Sequence, residues 1–243
     1  MTKRVGWRPS KFMFKGDRLQ PAPATPGSSY LVAALVADFY AHAIPSHARG
    51  RLGDLGCGAA PLYELYEPHA QSVVWIDWPN SLHENRALDA ACDLNVGVPV
   101  RDAAFDTIIV SDVLEHLRRP EVAWAELLRT LAPGGTILGN APFLYWVHEA
   151  PYDFHRYTEH ALRASVEDAG GRIELLDAMG GSADVFADFV GKHIGAIPVV
   201  GQPLARMLAH VTLAFGRTRY GTRLRASTRA KFPLGYTWVV RKS

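Results

Sequence analysis

The segment Leu52-Gly53-Asp54-Leu55-Gly56-Cys57-Gly58 constrains the fold more than any other, because a short apolar run ends there abruptly in two glycines. Glycine directly after a buried strand lets the backbone approach a ligand closely, since a side chain would fill the ligand's space. Further apolar runs at 72–76, 107–110, 136–140, 172–176 and 236–240 read as strands. Helical patterns intervene at 120–131, with a Leu127, Leu128 and Leu131 face, and at 158–169, with Thr158 as cap. Pro133-Gly134-Gly135 and Gly170-Gly171 stand where helices must stop and reverse. The alternation predicts an α/β fold with a doubly wound, mostly parallel sheet.

Residues 1–27 are rich in Pro, Lys and Arg, lack a sustained period, and are expected to form an irregular arm. Ser28 and Ser29 can cap a helix whose stripe is Leu31, Leu35, Val36 and Phe39, ending near Ile44-Pro45. One domain, 28–243, is expected to follow, with 180–234 as a helical cap inserted before the last strand. At 243 residues and 48% hydrophobic, the chain can bury a full core, while a net charge of +2 announces no nucleic-acid surface. Two cysteines, Cys57 and Cys92, are too few for a disulfide framework, and no Cys/His cluster has zinc-ligand spacing, so no metal is expected. The absence of a signal-like apolar core in 1–14, or of any run of about 18 apolar residues, points to a cytoplasmic protein.

The polar residues fall at strand ends, where ligands bind in an open parallel sheet. Asp77 ends the second strand, where a carboxylate can chelate two ribose hydroxyls, and Trp78 adds a flat surface for an adenine. In Cys92-Asp93-Leu94, Asp93 can accept an adenine amino group and Leu94 can offer its amide to the ring. The run from Phe105-Asp106 through Ser111 to Leu114-Glu115-His116-Leu117 passes from a buried strand into another polar end.

This ordered set resembles the class I S-adenosylmethionine-dependent methyltransferases of the small-molecule, ubiquinone-biosynthesis-like type ("type 11"). The likeness covers 50–179 and rests on Asp54-Leu55-Gly56-Cys57-Gly58, Asp77, Cys92-Asp93-Leu94, Leu114-Glu115-His116 and Leu131-Ala132-Pro133-Gly134-Gly135. It implies a seven-stranded Rossmann-like sheet whose final strand is antiparallel. It also implies an S-adenosyl-L-methionine site formed by Asp54 (for the ammonium), Gly56, Cys57, Gly58, Asp77, Trp78, Asp93, Leu94, Ser111 and His116. One departure is Ala60, followed by Pro61, where the family usually has a third glycine. A nicotinamide-dependent oxidoreductase would share the first strand, turn and acid. It wants G-x-G-x-x-G and a later Tyr-x-x-x-Lys, and the chain instead has Gly56-Cys57-Gly58-Ala59-Ala60-Pro61. A catalytically silent cofactor-binding protein stays open, to be told apart by turnover.

The acceptor side is expected in 141–158, which mixes aromatic walls with titratable groups as pockets for small polar ligands do. His-Glu-x-Pro-Tyr-Asp-x-x-Arg-Tyr-Thr segments like this one occur in a bacterial subgroup of the family associated with cell-envelope glycan or glycolipid pathways. That resemblance suggests O-methylation of a hydroxyl on a sugar, glycolipid or other small molecule. His148 is the first candidate for the base, with Asp153 as its partner or a second base. Tyr145, Glu149, Tyr152, Arg156 and Tyr157 are expected to bind the acceptor, although Asp153 and Arg156 could instead form an ion pair that pins the loop.

In the insertion, Leu204, Met207, Leu208, Val211 and Phe215 recur at helical spacing. Core packing is the expected reading, with an interfacial helix for a lipid-linked substrate as the alternative. Arg217, Arg219, Arg223, Arg225, Arg229 and Lys231 follow without an intervening acid. Segment 204–231 could thus touch an anionic membrane, placing the protein at the inner membrane face. The same charges would suit a nucleic acid, but no RNA-binding module or Asn/Asp-Pro-Pro-Tyr motif supports that methyltransferase class.

Overall fold

The computed structural model describes residues 4–83, 85 and 87–242, so arm positions 1–3 and residue 243 lie outside the described residues. The strands of the main sheet are β3 (Arg51–Leu55), β4 (Ser72–Asp77), β5 (Ala90–Ala91), β6 (Phe105–Ser111), β7 (Leu131–Pro142), β8 (Gly171–Met179) and β9 (Gly235–Lys242). Their order is β5-β4-β3-β6-β7-β9-β8. β9 runs antiparallel to both β7 and β8, and the other pairings are parallel. The expected seven-stranded, mostly parallel sheet with an antiparallel last strand is present.

Side-chain alternation explains why these strands are apolar on both faces. Leu52, Ile109, Leu138 and Val239 point into one core with α1 (Tyr30–His47) and α2 (Tyr63–Tyr66). Leu55, Ile108, Val110, Ile137 and Val240 point into the other, against α3 (Pro120–Thr130) and α4 (Glu159–Asp168). A parallel sheet covered on both sides requires such runs. The helix at 158–169 begins as expected, with the Thr158 hydroxyl accepting from the Ala161 amide. Gly139 makes room for the Trp238 indole, which an added Cβ would approach to 2.5 Å.

Two expectations are corrected. Residues 12–21 of the supposedly irregular arm form a hairpin, β1 (Phe12–Lys15) with β2 (Arg18–Pro21), because Phe12 and Leu19 are buried against the first core. The segment before it is also fastened: Arg4 donates to Val73 O and Asp89, and Trp7 Nε1 donates to Ala60 O at 3.0 Å.

The insertion forms three helices, α5 (Ser182–Gly195), α6 (Gly201–Gly216) and α7 (Arg219–Thr228). α6 buries its small residues Ala205, Ala209 and Thr212, so Leu204, Met207 and Val211 face solvent instead of the core. Among the described residues no helix is long and apolar enough to cross a membrane.

Candidate active site

The chain leaves β3 toward β4 and β5 on one side, then returns to β6 on the other. The β3/β6 boundary is therefore the point where the strand order reverses, and the carboxyl ends of the strands open a crevice there. Gly56 and Gly58 stand at its mouth with φ of 73° and 50°. A Cβ on Gly56 would come within 2.5 Å of Val113 Cγ2, so only glycine fits between the two strand ends. Ala60 also has a positive φ, 50°, which explains why a glycine suits that position. Its methyl is fully buried, and the turn is clamped by the Ala60 N–H to Cys57 O bond of 2.7 Å.

Most of the residues expected at the cofactor, His116 apart, stand at or just beyond the carboxyl ends of β3, β4, β5 and β6. Asp54 is buried and accepts from the Tyr66 hydroxyl at 2.8 Å. Burial raises its carboxyl to about 7 despite that hydrogen bond, with Asp77 adding a further push. Asp77 is buried at the end of β4, where it accepts from the amides of Gly58 (3.1 Å) and Trp78 (2.8 Å). Cys57 has a buried thiol that desolvation keeps protonated. Asp93 Oδ1 accepts from the Asn95 amide and side chain, and Leu94 is buried beside it. Ser111 donates to Asn140 Oδ1 at 2.9 Å, and Asn140 in turn donates to Asp112, which Lys11 pairs at 2.7 Å.

The acceptor loop is organised around Asp153, whose side chain is nearly buried. Arg156 binds both its oxygens, and the His148 amide donates to Oδ2 at 2.8 Å. Burial alone would raise this carboxyl, but Arg156, the amide and the His148 ring hold it at about 2. His148 Nδ1 lies 3.2 Å from Asp153 Oδ2. Nδ1 also lies 3.5 Å from Arg156 Nη2, which can only donate, so this nitrogen faces an acceptor and a donor; the tautomer protonated at Nδ1 leaves a lone pair on Nε2.

Arg156 further donates to the carbonyls of Trp146 and His155, so its donors are committed to the loop instead of lying open for an anionic acceptor. Tyr157 is also corrected: it is a core residue whose hydroxyl donates to Leu114 O, 2.9 Å away, and it does not face the pocket. Tyr145 lies 5.3 Å from the His148 ring, and Tyr152 is edge-on to Trp78 at 4.9 Å.

His116, expected beside the cofactor, stands with the acceptor group. Its Nδ1 bonds Tyr152 O at 2.8 Å and its ring lies 4.9 Å from His148. Three further side chains escaped the sequence reading. Glu115 is fully buried, with Oε1 3.8 Å from His116 Nε2 and 4.0 Å from His148 Nε2, and among the described residues neither oxygen has a hydrogen-bond partner. Burial drives its pKa far above the ordinary carboxylate value. The signal was present in a carboxylate set between Leu114 and the polar strand end. His83 and Asn85 carried none, because the segment 79–89 has no period. Asn85 donates to Gly58 O at 2.9 Å, and His83 pairs Glu149 at 3.1 Å, linking the glycine turn to the acceptor loop.

Glu115, His116 and His148 bring their donor atoms within 4.8 Å of one another. Three groups so close, one of them a buried carboxyl, can share protons or converge on one cation.

Residues 53–139 match the family model of a methyltransferase domain. Among solved structures, an S-adenosylmethionine dependent methyltransferase from Mesorhizobium loti superposes with a TM-score of 0.55 at 14% identity, covering 87% of this chain and 100% of that one. The 4+2 cyclase SpnF superposes with a TM-score of 0.54 at 19% identity, covering 96% and 86%. At such identities the superpositions speak for the fold alone. No curated protein matches the sequence. The fold and the crevice at its switch point define a Rossmann-like enzyme domain. The matched region, residues 53–139, is similar to a methyltransferase domain and speaks against the nicotinamide reading.

Proposed function

We propose that the protein transfers the methyl group of S-adenosyl-L-methionine to a hydroxyl of a sugar, glycolipid or other small molecule. The observation that carries the oxygen acceptor is the His148–Asp153 pair, since a hydroxyl must lose its proton and an Nδ1-anchored imidazole offers Nε2 to take it. The crevice fits the cofactor: its glycine turn stands at the strand ends with positive φ at Gly56 and Gly58, and two buried carboxylates, Asp54 and Asp77, lie beside it with no cationic side chain among the described residues hydrogen-bonded to either. Asp54 would pair the cofactor's ammonium, Asp77 its ribose hydroxyls, and Asp93 with Leu94 its adenine. When bound, the cofactor supplies an electrophilic methyl on a sulfonium, displaced in line by the acceptor oxygen.

The chain's own part is to position and to move one proton. With that methyl donor bound, His148 Nε2 would take the proton that the acceptor hydroxyl loses on methylation. Asp153 stabilises the resulting imidazolium without being protonated, because Arg156 holds it ionised. This makes Asp153 a partner and a poor second base. Tyr145, Glu149 and Tyr152 line the pocket in which the acceptor sits, and Arg156 keeps the loop's shape. A lipid-linked acceptor would bring the protein to a membrane surface, with 204–231 in contact.

The test is transfer of a radiolabelled methyl group to a panel of nucleotide sugars, lipid-linked sugars and RNA. The reading expects an alkali-stable methyl ether in a sugar fraction. Label on nucleic-acid nitrogen, or tight cofactor binding with no turnover on the whole panel, would overturn it.

A further inference from the structure

The outer side of the insertion is built in reverse of an ordinary surface helix pair. α6 packs Ala205, Ala209 and Thr212 inward and leaves Leu204, Met207 and Val211 outside. α5 does the same, burying Ala187 and Gly191 while Phe186 and Phe189 are 69% and 61% exposed. The turn that joins them, Ala196-Ile197-Pro198-Val199-Val200, is exposed throughout, and Val199 is 96% exposed at a φ of 65°, unusual for a β-branched residue. A soluble monomer rarely leaves so continuous an apolar surface in water.

Charge selects the occupant. From Phe189 to the end of the sequence there is no Asp or Glu, against ten Lys and Arg. Several of these are used internally: Lys192 pairs Asp188, Arg225 pairs Asp184, and Arg241 pairs Glu174. Among the described residues Arg217, Arg219 and Arg223 make no ion pair, and together with Thr222 they line one open hollow. It lies at the far end of α6 from the apolar turn. Tyr220, 70% exposed, stands beside Phe215 at the same end.

We infer that the α5–α6 hairpin with the Arg217–Arg219–Arg223 cluster docks on an anionic lipid bilayer, its apolar side entering the acyl boundary and its arginines meeting lipid phosphates. Interfacial helices combine those two chemistries on one surface. A second copy of the chain fits less well, because a self-complementary contact pairs this surface with itself, and from Phe189 onward it offers no Asp or Glu to meet the arginines. The docking surface and the acceptor pocket share α5. On its inner side Lys192 Nζ lies 3.8 Å over the Tyr145 ring and 5.4 Å from Trp146, in the acceptor loop. An acceptor held in the bilayer would meet the pocket along that helix, a consequence that rests on the functional reading above, whereas docking itself does not.

Sedimentation of the full chain with phosphatidylcholine vesicles, with and without phosphatidylglycerol, tests this. The protein should pellet with the anionic vesicles and be released by salt. Phe189→Asp with Met207→Asp should weaken binding at least about tenfold, since each removes the burial of a large apolar side chain. Arg219→Glu with Arg223→Glu should abolish the preference for anionic lipid. All four positions are on the surface, so thermal midpoint and S-adenosylhomocysteine affinity should not change. Wild-type protein that stays in the supernatant with anionic vesicles would overturn the inference. So would a concentration-dependent dimer that dissociates in the Phe189→Asp, Met207→Asp variant. Vesicle binding without any S-adenosylhomocysteine binding would uphold docking and refute the functional reading.

Discussion

His148 and Asp54 are the two side chains whose protonation the fold sets for opposite tasks. Burial and the neighbouring His116 lower the His148 pKa below 6.5 even though Asp153 pulls it up. The imidazole is therefore neutral, and able to accept a proton, at pH 7. Turnover at saturating cofactor should fall on acidification below that value and stay level through pH 8, and a rate that still climbs above pH 8 would exclude His148 as the base. His148→Ala should cost about 100-fold or more in kcat, the usual range for a general base, with S-adenosylhomocysteine affinity within a factor of about two or three of wild type.

Asp54 behaves the other way. Its carboxyl, raised to about 7 by burial, must ionise to pair an ammonium, so cofactor affinity should weaken as pH falls through 7. The dependence should disappear in Asp54→Asn, and calorimetry across pH 5.5–8.5 reads both (~ one proton released per site at the acid end). At this scale the sequence revealed residue types at strand ends but not their commitments. Arg156 looked like an anion receptor and is spent on Asp153 and two carbonyls. Such commitments depend on loop geometry that residue types alone do not carry.

Among the elements, the glycine turn after β3 is the most constrained. Gly56→Ala would place a methyl against Val113 in a backbone conformation that disfavours alanine. We expect it to raise the S-adenosylhomocysteine dissociation constant about tenfold or more while destabilising the fold by roughly 1–2 kcal/mol. Titration calorimetry and urea unfolding separate the two effects.

The turn, Asp77 and the strand ends were legible in advance, because strand period and glycine chemistry are local properties. The hairpin of β1 and β2 was not, since its stability comes from Phe12 and Leu19 packing on distant residues of the first core. For α6, helical spacing of Leu204, Met207 and Val211 predicted an apolar face, but spacing does not say which side the rest of the molecule covers. Ala205 and Ala209 allow closer packing against α1 and the turn before it, and that side was buried.

The whole molecule is a sheet sandwiched between two cores, and its integrity can be probed away from the crevice. Trp124 is fully buried in the second core, 6.0 Å from Trp238, so Trp124→Ala should cost about 3–5 kcal/mol in urea unfolding. A loss under about 1 kcal/mol would mean that this side of the sheet is poorly packed. The apolar runs gave six strands; the seventh and the antiparallel last strand are what the family resemblance implies, and the structure agrees with them, while the strand order comes from the structure alone.

The functional reading stands or falls with the β3/β6 crevice, with Asp77 at its edge, as an S-adenosylmethionine site. The most direct measurement is calorimetric titration of the wild-type protein and Asp77→Ala with S-adenosylhomocysteine, with NADH titrated in parallel. Wild type should bind S-adenosylhomocysteine at one site per chain, Asp77→Ala should lose that binding with its thermal unfolding transition still cooperative, and NADH should give no heat. Unchanged S-adenosylhomocysteine binding in Asp77→Ala, or binding of NADH instead, would contradict it.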